Sequence, residues 1–387
     1  MAEYVLGFIL SSIFMYLSEK THRFVFPSHS HKCNTISLKI NFFGSLAIAT
    51  ITIMSAIRAL HIGTDMNFYV LRHYEKALFF DSNVLGYFSD NPDQVEPLYL
   101  LIEYISAYVF SNVHFALFSF SLITNSFIYL GIKNLKGKID VTFGWIVYCL
   151  AFYSITLNLM RQFMAIAIIF FLFSDEIKLS WKRTIILSIL AMGFHVSGVL
   201  GIFLYTVYRI LNSRRLKQFK FNKQKLIVWG LGLCFMLIPF LLNTSIYVLW
   251  NIGIIHGKYQ VYLDNTGQIA FGNILFRSVF FLLFALYLHL NKHELKNDKW
   301  LVFVLYISVI DILFLINNGL ISVRIGKYFS IFEIVYFSIG LRVINSRKGR
   351  LILWLCLVCL LFSFWYYQFV ILNSGDVYPY SVDSDLF

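Results

Sequence analysis

The chain has 387 residues, of which 59% are hydrophobic and only 13% are charged, and its formal net charge is +12. Soluble domains carry about 25% charged residues, and a soluble protein of this composition would expose large apolar patches to water. The composition therefore excludes an ordinary soluble protein. Because apolar runs recur along the whole length, it also excludes a separate soluble catalytic or nucleotide-binding domain.

The apolar runs predict an all-α polytopic membrane protein. A run of roughly 20 apolar residues crosses the hydrocarbon core as a helix, which satisfies its own backbone groups there. In chain order, twelve spans are predicted at 3–18, 40–60, 113–132, 141–157, 159–174, 183–194, 196–211, 226–245, 270–290, 300–317, 325–341 and 351–371. The stretch 97–110 is shorter and carries Glu103, so we predict a re-entrant or interfacial helix there.

Loop charges predict the orientation of these spans. Most of the 32 lysine and arginine residues fall in alternate loops, which the positive-inside rule assigns to the cytoplasm. Both termini are then predicted outside. This arrangement requires a break at Phe194–His195 within the run 183–211, because an unbroken helix would expel the most basic loop. We expect residues 1–374 to form a single transmembrane domain and residues 375–387 to form a loose polar tail.

The first polar cluster follows the second predicted span, on the outer side. It contains Arg58, Gly63, Thr64, Asp65 and Tyr69. A glycine beside threonine and aspartate suits a tight turn, and Asp65 could pair with Arg58 or face a substrate. The alternative is a simple stop to the span with a solvated acid.

The second cluster lies on one helical face. Offsets of 0, 3, 4 and 7 bring Asn158, Arg161, Gln162 and Ala165 together. An arginine between apolar spans needs a partner or water, and a guanidinium beside amides suits phosphate oxygens. The alternative is an arginine that extends to the membrane interface.

The third candidate is His195, at the predicted break between two spans. An imidazole can accept or donate a proton near neutral pH. The alternative is a histidine that is merely hydrogen-bonded to a neighbouring helix.

Other polar residues carry weaker indications. Tyr259, beside Lys258 and near Tyr262, fits sugar stacking or an interfacial aromatic belt. Arg324 opens a predicted span from outside, either as a substrate contact or as an interfacial anchor. Glu96-Pro97 is typical of a helix start, so we expect a capping role there and consider a substrate contact as the alternative. The remaining candidates are Arg277, Asp311 and Glu333, which favour a buried ion pair within the spans, and Asp383-x-Asp385, which resembles a metal motif only superficially.

In this order and spacing, the clusters resemble the EpsG family of Wzy-like polysaccharide polymerases. The matching residues are Arg58, Gly63-Thr64-Asp65, Tyr69, Glu96-Pro97, Tyr99, Asn158-x-x-Arg161-Gln162-x-x-Ala165 and Phe194-His195-x-Ser197, with weaker matches at Lys258-Tyr259-x-x-Tyr262 and Arg324…Tyr328-Phe329. The resemblance runs from about 58 to 330. It departs from the family pattern at Leu98, where a glycine is expected.

The resemblance implies a metal-independent glycosyltransferase of GT-C-like fold, without cofactor, in the bacterial inner (plasma) membrane. Its substrates would be oligosaccharide repeat units on polyprenyl pyrophosphate, used at the periplasmic or extracellular face for O-antigen, capsule or exopolysaccharide biosynthesis. Partners would include membrane lipids, a flippase and a chain-length regulator, and no nucleic acid.

The resemblance also suggests roles for individual residues. Catalysis would use Arg161 with His195 or Asp65 as the general base, and we favour His195 of these two. Substrate binding would use Arg58, Tyr69, Asn158, Gln162, Tyr259, Arg277 and Arg324. Two alternatives remain: a ligase that moves finished glycan from the same carrier, and a transporter or flippase of lipid-linked sugar.

Overall fold

The computed structural model describes residues 1–21, 41–80, 83–91, 95–212, 299–316, 320–344 and 346–384, together with Leu237, Val248, Ile252 and Ser278. Within these ranges the regular structure is helical, and β pairing occurs only as isolated bridges. The chain divides into two compact units, where the sequence predicts one domain. The first comprises Met1–Gly201 and Phe337–Phe387, and the second comprises Ile202–Tyr336.

The helices of the first unit follow the predicted apolar runs closely. They are α1 (Ala2–Thr21), α2 (Phe42–Ala56), α3 (Leu71–Phe80), α4 (Val84–Ser89), α5 (Pro97–Tyr108), α6 (Val113–Asn134), α7 (Val141–Tyr148), α8 (Met160–Phe173), α9 (Trp181–Met192) and α10 (Leu200–Leu211), which continues into the second unit. A π-helical turn (Met66–Val70) precedes α3, a second (Cys149–Tyr153) and a short turn (Ser154–Thr156) extend α7, and a 3₁₀ turn (Val196–Val199) precedes α10. The predicted break at Phe194–His195 is confirmed.

The second unit contains the greater part of α10, then α11 (Lys299–Ile316), α12 (Leu320–Ser330) and the start of α13 (Glu333–Val343). The predicted span 325–341 is divided between two helices, because the helix is interrupted at Ile331–Phe332. Around the interruption several backbone hydrogen bonds join residues three positions apart instead of four. For example, the Phe332 N–H donates to the Phe329 carbonyl (3.1 Å). No proline or glycine marks this break in the sequence. Apart from Leu237 and Ser278, the predicted spans 226–245 and 270–290 lie outside the described residues.

The long helices of the first unit begin and end at two opposite ends of that unit. At one end, which we call the Arg161 end, the hydroxyl of Tyr4 donates to the carbonyl of Val377 (2.7 Å), and the indole of Trp365 donates to Ser154 (2.9 Å). At the opposite end, the Lys133 end, Ser18 contacts Tyr129 (2.9 Å) and accepts from Lys133 (3.3 Å). Trp365 belongs to the last helix, α14 (Arg347–Trp365), which continues as a π-helical segment (Tyr366–Ile371). Residues near both termini therefore lie at the same end, as the predicted orientation requires.

The residues immediately before and after helix α5 both lie at the Arg161 end. It has 12 residues, so it rises about 18 Å, against roughly 30 Å for a hydrocarbon core. Glu96 before it pairs with Arg161, and His114 after it pairs with Asp383, a residue whose backbone N–H bonds Ile57. This geometry agrees with the predicted re-entrant or interfacial helix.

Two described helices, Val113–Asn134 and Arg347–Ile371, are long and apolar enough to cross a membrane. Five shorter apolar helices of 10–17 residues accompany them in the described ranges: Phe42–Ala56, Val141–Thr156, Met160–Phe173, Val196–Leu211 and Trp300–Leu315. Together with the composition, these helices indicate an all-α membrane protein. The number of twelve spans stays a prediction.

The prediction of a loose tail is wrong for residues 375–384. With Asn373 and Ser374 they form a segment, here named the C-terminal strap, that packs across the Arg161 end. Val377 is fully buried, Tyr380 donates to the Met54 carbonyl (2.8 Å), and Asp383 pairs with His114 (3.1 Å). Burial raises the pKa of Tyr380 to about 12, so its hydroxyl stays protonated and keeps donating. The polar composition suggested solvation, but these side chains and the strap backbone find partners in the first unit instead.

Candidate functional site

Arg161 is the centre of the predicted site residues that come together. It lies in the first turn of α8, and its guanidinium forms an ion pair with Glu96 (2.9 Å), with each side chain only 13% exposed. The guanidinium carbon lies 3.8 Å from the centre of the Tyr69 ring and 5.5 Å from that of Tyr99. Among the described residues the buried Nε–H of Arg161 has no hydrogen-bond partner. The pair is therefore fixed in position, and one buried donor of its guanidinium is left unsatisfied.

Glu96 reaches Arg161 because of how α5 begins. Pro97 occupies the first turn, a position that needs no N–H donor, and it holds Glu96 extended at φ −67° and ψ 143°. Glu96 is the N-cap residue of α5, as expected, but its carboxylate makes no capping hydrogen bond to that helix. Its second oxygen accepts instead from the backbone N–H of Val196 (3.0 Å), and this bond joins α5 to the break before α10.

Leu98, which departs from the family pattern, packs against a glycine of another segment. Its N–H donates to the Gly193 carbonyl (2.9 Å). A Cβ on Gly193 would lie 2.7 Å from Cγ of Leu98, so this side chain fits only because residue 193 has none. Leucine is thus accommodated at position 98 because the residue it packs against, Gly193, has no side chain.

Asn158 holds the turn that contains Gly63, Thr64 and Asp65. Its side-chain oxygen accepts from the Thr64 hydroxyl (2.5 Å) and from the Asp65 N–H (3.1 Å). Gly63 has φ +96°, a conformation that favours glycine, and its N–H donates to the Asp376 carbonyl of the C-terminal strap (2.9 Å). The turn is therefore fixed from two directions, with the Asp65 charge close enough to act on Arg161.

Arg58 lies behind this turn rather than facing an open site. Its side chain is fully buried and donates to the hydroxyl of Ser55 (2.8 Å) and to the Leu157 carbonyl (3.1 Å), with the sulfurs of Met66 and Met160 also in contact. A buried guanidinium is costly unless its donors are met. These contacts hold the backbone just before Asn158, while the Nε–H of Arg58 has no hydrogen-bond partner among the described residues.

His195 lies at the break, next to the Val196 N–H that binds Glu96. Its Nδ1 accepts from the Ser197 N–H (3.3 Å) and contacts the Ser197 hydroxyl (2.5 Å). Because a backbone N–H can only donate, Nδ1 is the acceptor nitrogen, and the proton of a neutral ring is assigned to Nε2. Nε2 is then a hydrogen-bond donor.

A family model for the EpsG family matches residues 41–382, which include every residue of this site. The chain belongs to the EpsG family. The resemblance drawn from the motifs is thereby confirmed, and EpsG membership indicates a membrane protein with a Wzy-like polysaccharide polymerase role, a glycosyltransferase-like function. Neither a curated protein nor a solved structure matches the chain.

The structure brings only part of the predicted EpsG site together. The residues that meet around the Glu96–Arg161 pair are Asp65, Tyr69, Tyr99, Asn158 and, through Val196, His195. Gln162 is buried in α8, Arg324 lies in the second unit, and Tyr259 and Arg277 lie outside the described residues. The sequence did not indicate the ion pair of Glu96 with Arg161, because Glu96-Pro97 is typical of a helix start and predicted a capping role.

At this EpsG site, the guanidinium of Arg161 is outnumbered by carboxylates. Arg161 faces two carboxylates, Glu96 and Asp65, so anion binding there would need cations beyond Arg161. In the described ranges no group of three His, Cys, Asp or Glu side chains could hold a metal ion. Asp383, considered above for a metal motif, pairs with His114.

Replacing Glu96 with glutamine is expected to destabilise the EpsG fold. Glutamine can still accept from Val196, but the charge-assisted bond to Arg161 is lost, which costs about 2 kcal/mol. Glu176→Gln is the matched control, because Glu176 forms its 2.8 Å pair with Lys138 at an exposed position and should cost less than about 1 kcal/mol. Thermal unfolding of both purified variants compares the two losses, and equal shifts in Tm would contradict the importance of the Glu96 pair.

Proposed function

We propose that this protein is a Wzy-like polymerase that transfers a growing glycan from one polyprenyl-pyrophosphate carrier to the next lipid-linked repeat unit. The reaction takes place at the outer face of a bacterial plasma membrane, in a metal-independent enzyme of twelve spans and GT-C-like fold. The observation that carries the proposal is the Glu96–Arg161 pair, held between two tyrosine rings with one guanidinium donor left over. In an EpsG chain, this is the group best suited to the carrier's phosphates.

Arg161 stabilises the leaving group in this proposal. Negative charge develops on the pyrophosphate as its bond to the sugar breaks, and a fixed guanidinium meets that charge without reorganisation. Two carboxylates offset Arg161, so the remaining positive charge is assigned to Arg277 and Arg324. Arg58 contributes by holding the backbone before Asn158, and Tyr259 remains a proposed sugar contact.

Asp65 is the better candidate for the general base. The acceptor hydroxyl attacks the anomeric carbon, the bond to the pyrophosphate oxygen breaks with its electron pair, and the hydroxyl proton passes to a carboxylate. Glu96 already uses both oxygens, for Arg161 and for Val196, whereas Asp65 lies in the turn that Asn158 holds, with its charge close enough to act on Arg161. His195 presents Nε2 as a donor, so we assign it to binding a sugar hydroxyl or a phosphate oxygen. In this proposal Asp65 is preferred to His195 as the base, whereas the sequence favoured His195.

If Asp65 is the base, Asp65→Asn should lower the rate of elongation about 100-fold or more, the usual range for loss of a general base. His195→Gln keeps an N–H donor and should retain far more activity. The rates are measured with purified protein and lipid-linked repeat units. A larger loss in His195→Gln than in Asp65→Asn would return the role of base to His195.

The proposed orientation has its own test. Val196, which is 56% exposed, lies at the Arg161 end, and the exposed Lys136 lies at the Lys133 end. In a background without other cysteines, Val196→Cys should react with a membrane-impermeant thiol reagent added outside intact cells. Lys136→Cys should react only after the membrane is permeabilised. The opposite pattern would place the site in the cytoplasm.

Purified protein in vesicles, supplied with lipid-linked repeat units and no energy source, distinguishes the candidate functions. Lengthened glycan on the carrier supports the polymerase, and transfer to a different acceptor indicates a ligase. Movement of single repeats across the bilayer without elongation indicates a transporter. Elongation that persists with a metal chelator supports the metal-independent mechanism, and elongation that stops contradicts it.

A further inference from the structure

A long apolar groove runs along the first unit, away from the Arg161 site. It has a volume of about 680 Å³ and lies between α1, α7 and α14. Its walls are apolar side chains at helical spacing on α1, among them Ile9 and Ile13, opposite Ile146 and Trp354. Ile9 and Ile13 are about half exposed in the described part of the chain (53% and 49%), so the groove is open along its side.

The groove is long enough for one hydrocarbon chain of a lipid. Its lining on α1 extends from Val5 to Lys20, which corresponds to about 22 Å of helix. One leaflet contributes about half of the roughly 30 Å hydrocarbon core. An acyl chain from one leaflet can therefore lie in the groove along the whole length of the chain.

Charged residues are confined to one mouth of the groove, at the Lys133 end. Glu19 accepts from the Thr142 hydroxyl (2.9 Å), and Asp140 accepts from the Phe143 N–H (2.8 Å). Lys20 lies over the Tyr16 ring, 5.2 Å from its centre. Burial raises the pKa of Asp140, and the neighbouring Glu19 acts in the same direction while Arg350 lowers it. Two carboxylates and one lysine thus line this mouth, and Arg350 is close enough to act on Asp140.

We propose that this groove binds a glycerophospholipid with a primary ammonium headgroup. One acyl chain lies between α1, α7 and α14, the ammonium contacts Glu19 and Asp140, and the phosphate contacts Lys20. A mouth lined by two carboxylates beside one lysine favours a zwitterionic headgroup over an anionic one. The carboxylates accept hydrogen bonds that an –NH₃⁺ group can donate and a trimethylammonium group cannot.

The position of the charges also argues against the polyprenyl carrier as the occupant. The carrier's pyrophosphate must reach Arg161 in the proposed reaction, whereas Glu19 and Asp140 lie at the opposite end of the unit. The groove is therefore a second lipid site, whose headgroup lies at the Lys133 end. Lipid binding there does not require the proposed polymerase activity, but the exclusion of the carrier as the occupant rests on the proposed function.

Native mass spectrometry of the full chain tests this site. The protein is incubated with equal amounts of dioleoyl phosphatidylethanolamine, phosphatidylcholine and phosphatidylglycerol. We expect the first lipid to remain bound about tenfold more often than the other two, the factor expected from hydrogen bonds to charged groups. Equal retention of all three, or preference for phosphatidylglycerol, would overturn the proposal. Displacement of the bound lipid by a polyprenyl phosphate would assign the groove to the carrier instead.

Variants separate the headgroup contact from general lipid binding. The double variant Glu19→Gln/Asp140→Asn should lose the preference, and asparagine retains the helix cap that Asp140 provides. Glu176→Gln is the control at the same end, because its carboxylate pairs with Lys138. Ser12→Trp, which fills the groove, should lower retention of all three lipids.

A second measurement does not depend on how well the double variant folds. Trp354 lines the groove, so brominated acyl chains of phosphatidylethanolamine should quench its fluorescence in the unmodified protein. The Trp354→Phe variant supplies the background from the other tryptophans. Equal quenching with and without Trp354 would overturn the proposal.

Discussion

Replacing Arg161 with lysine is expected to abolish long-chain polymer while lipid-linked single repeats accumulate and the protein stays inserted. Lysine keeps the positive charge, so charge by itself is not removed. It loses the planar group that lies 3.8 Å from the Tyr69 ring while donating to Glu96 at 2.9 Å, a geometry that an ammonium cannot reproduce. The expected loss in the rate of elongation is about 10²–10³-fold, as for other preorganised donors at developing anions. Arg161→Ala should be no better than lysine.

Arg183 offers a matched control at the Lys133 end of the same unit. It too combines a carboxylate, Asp175 at 3.5 Å, with an aromatic ring, Phe171 at 5.1 Å. Arg183→Lys therefore removes a similar set of contacts from a helix start that is not part of the site. Glycan length on gels and the amount of inserted protein report both variants. Normal chain lengths in Arg161→Lys and Arg161→Ala would contradict the proposed reaction centre.

Replacing Gly375 with alanine is expected to reduce elongation strongly, although the residue does not touch the proposed reacting groups. Gly375 has φ +77°, and a Cβ there would lie 2.7 Å from the side-chain nitrogen of Asn158. Asn158 would have to move away from the bonds that hold Thr64 and Asp65. A displacement of about 1 Å in such a site can cost about 100-fold in rate.

Gly137 is the control for the backbone strain of that change. It has φ +101°, and the nearest atom to an added Cβ is a guanidinium nitrogen of Arg342 at 3.9 Å. Alanine at either position carries a similar penalty of about 1–2 kcal/mol for the left-handed conformation, and Gly375→Ala adds the cost of displacing Asn158, so its loss in Tm should be the larger of the two. Only Gly375→Ala should lose elongation. Equal activities would show that the C-terminal strap does not position Asn158.

The helices of the first unit could be predicted well because each apolar run is a local property of the chain. Predicted spans at 113–132 and 159–174 correspond to Val113–Asn134 and Met160–Phe173. The break at Phe194–His195 was predicted from loop charges, which record orientation rather than helix propensity. The interruption of helix at Ile331–Phe332 had no such signal.

The composition of the site could be predicted from motifs, but its pairings could not. The sequence placed Asn158 and Arg161 on one face, and both contribute to the cluster. Glu96, however, lies 65 positions from the arginine it pairs with, and no local pattern records such a contact. Arg58 had the same signature as an exposed ligand-binding arginine, yet tertiary packing buries it completely. The strap was misjudged because its polar side chains find partners in helices far away along the chain.

The reach of the C-terminal strap has a consequence for biogenesis. The hydroxyl of Tyr380 bonds a carbonyl 326 positions earlier, and the Asp376 carbonyl receives the N–H of Gly63. A chain still emerging from the ribosome cannot make these contacts until residues 376–380 have left the exit tunnel. The Gly63–Asp65 turn therefore lacks one of its two supports until residues 376–380 have emerged. The C-terminal strap thus completes this part of the candidate site late in the folding of the chain.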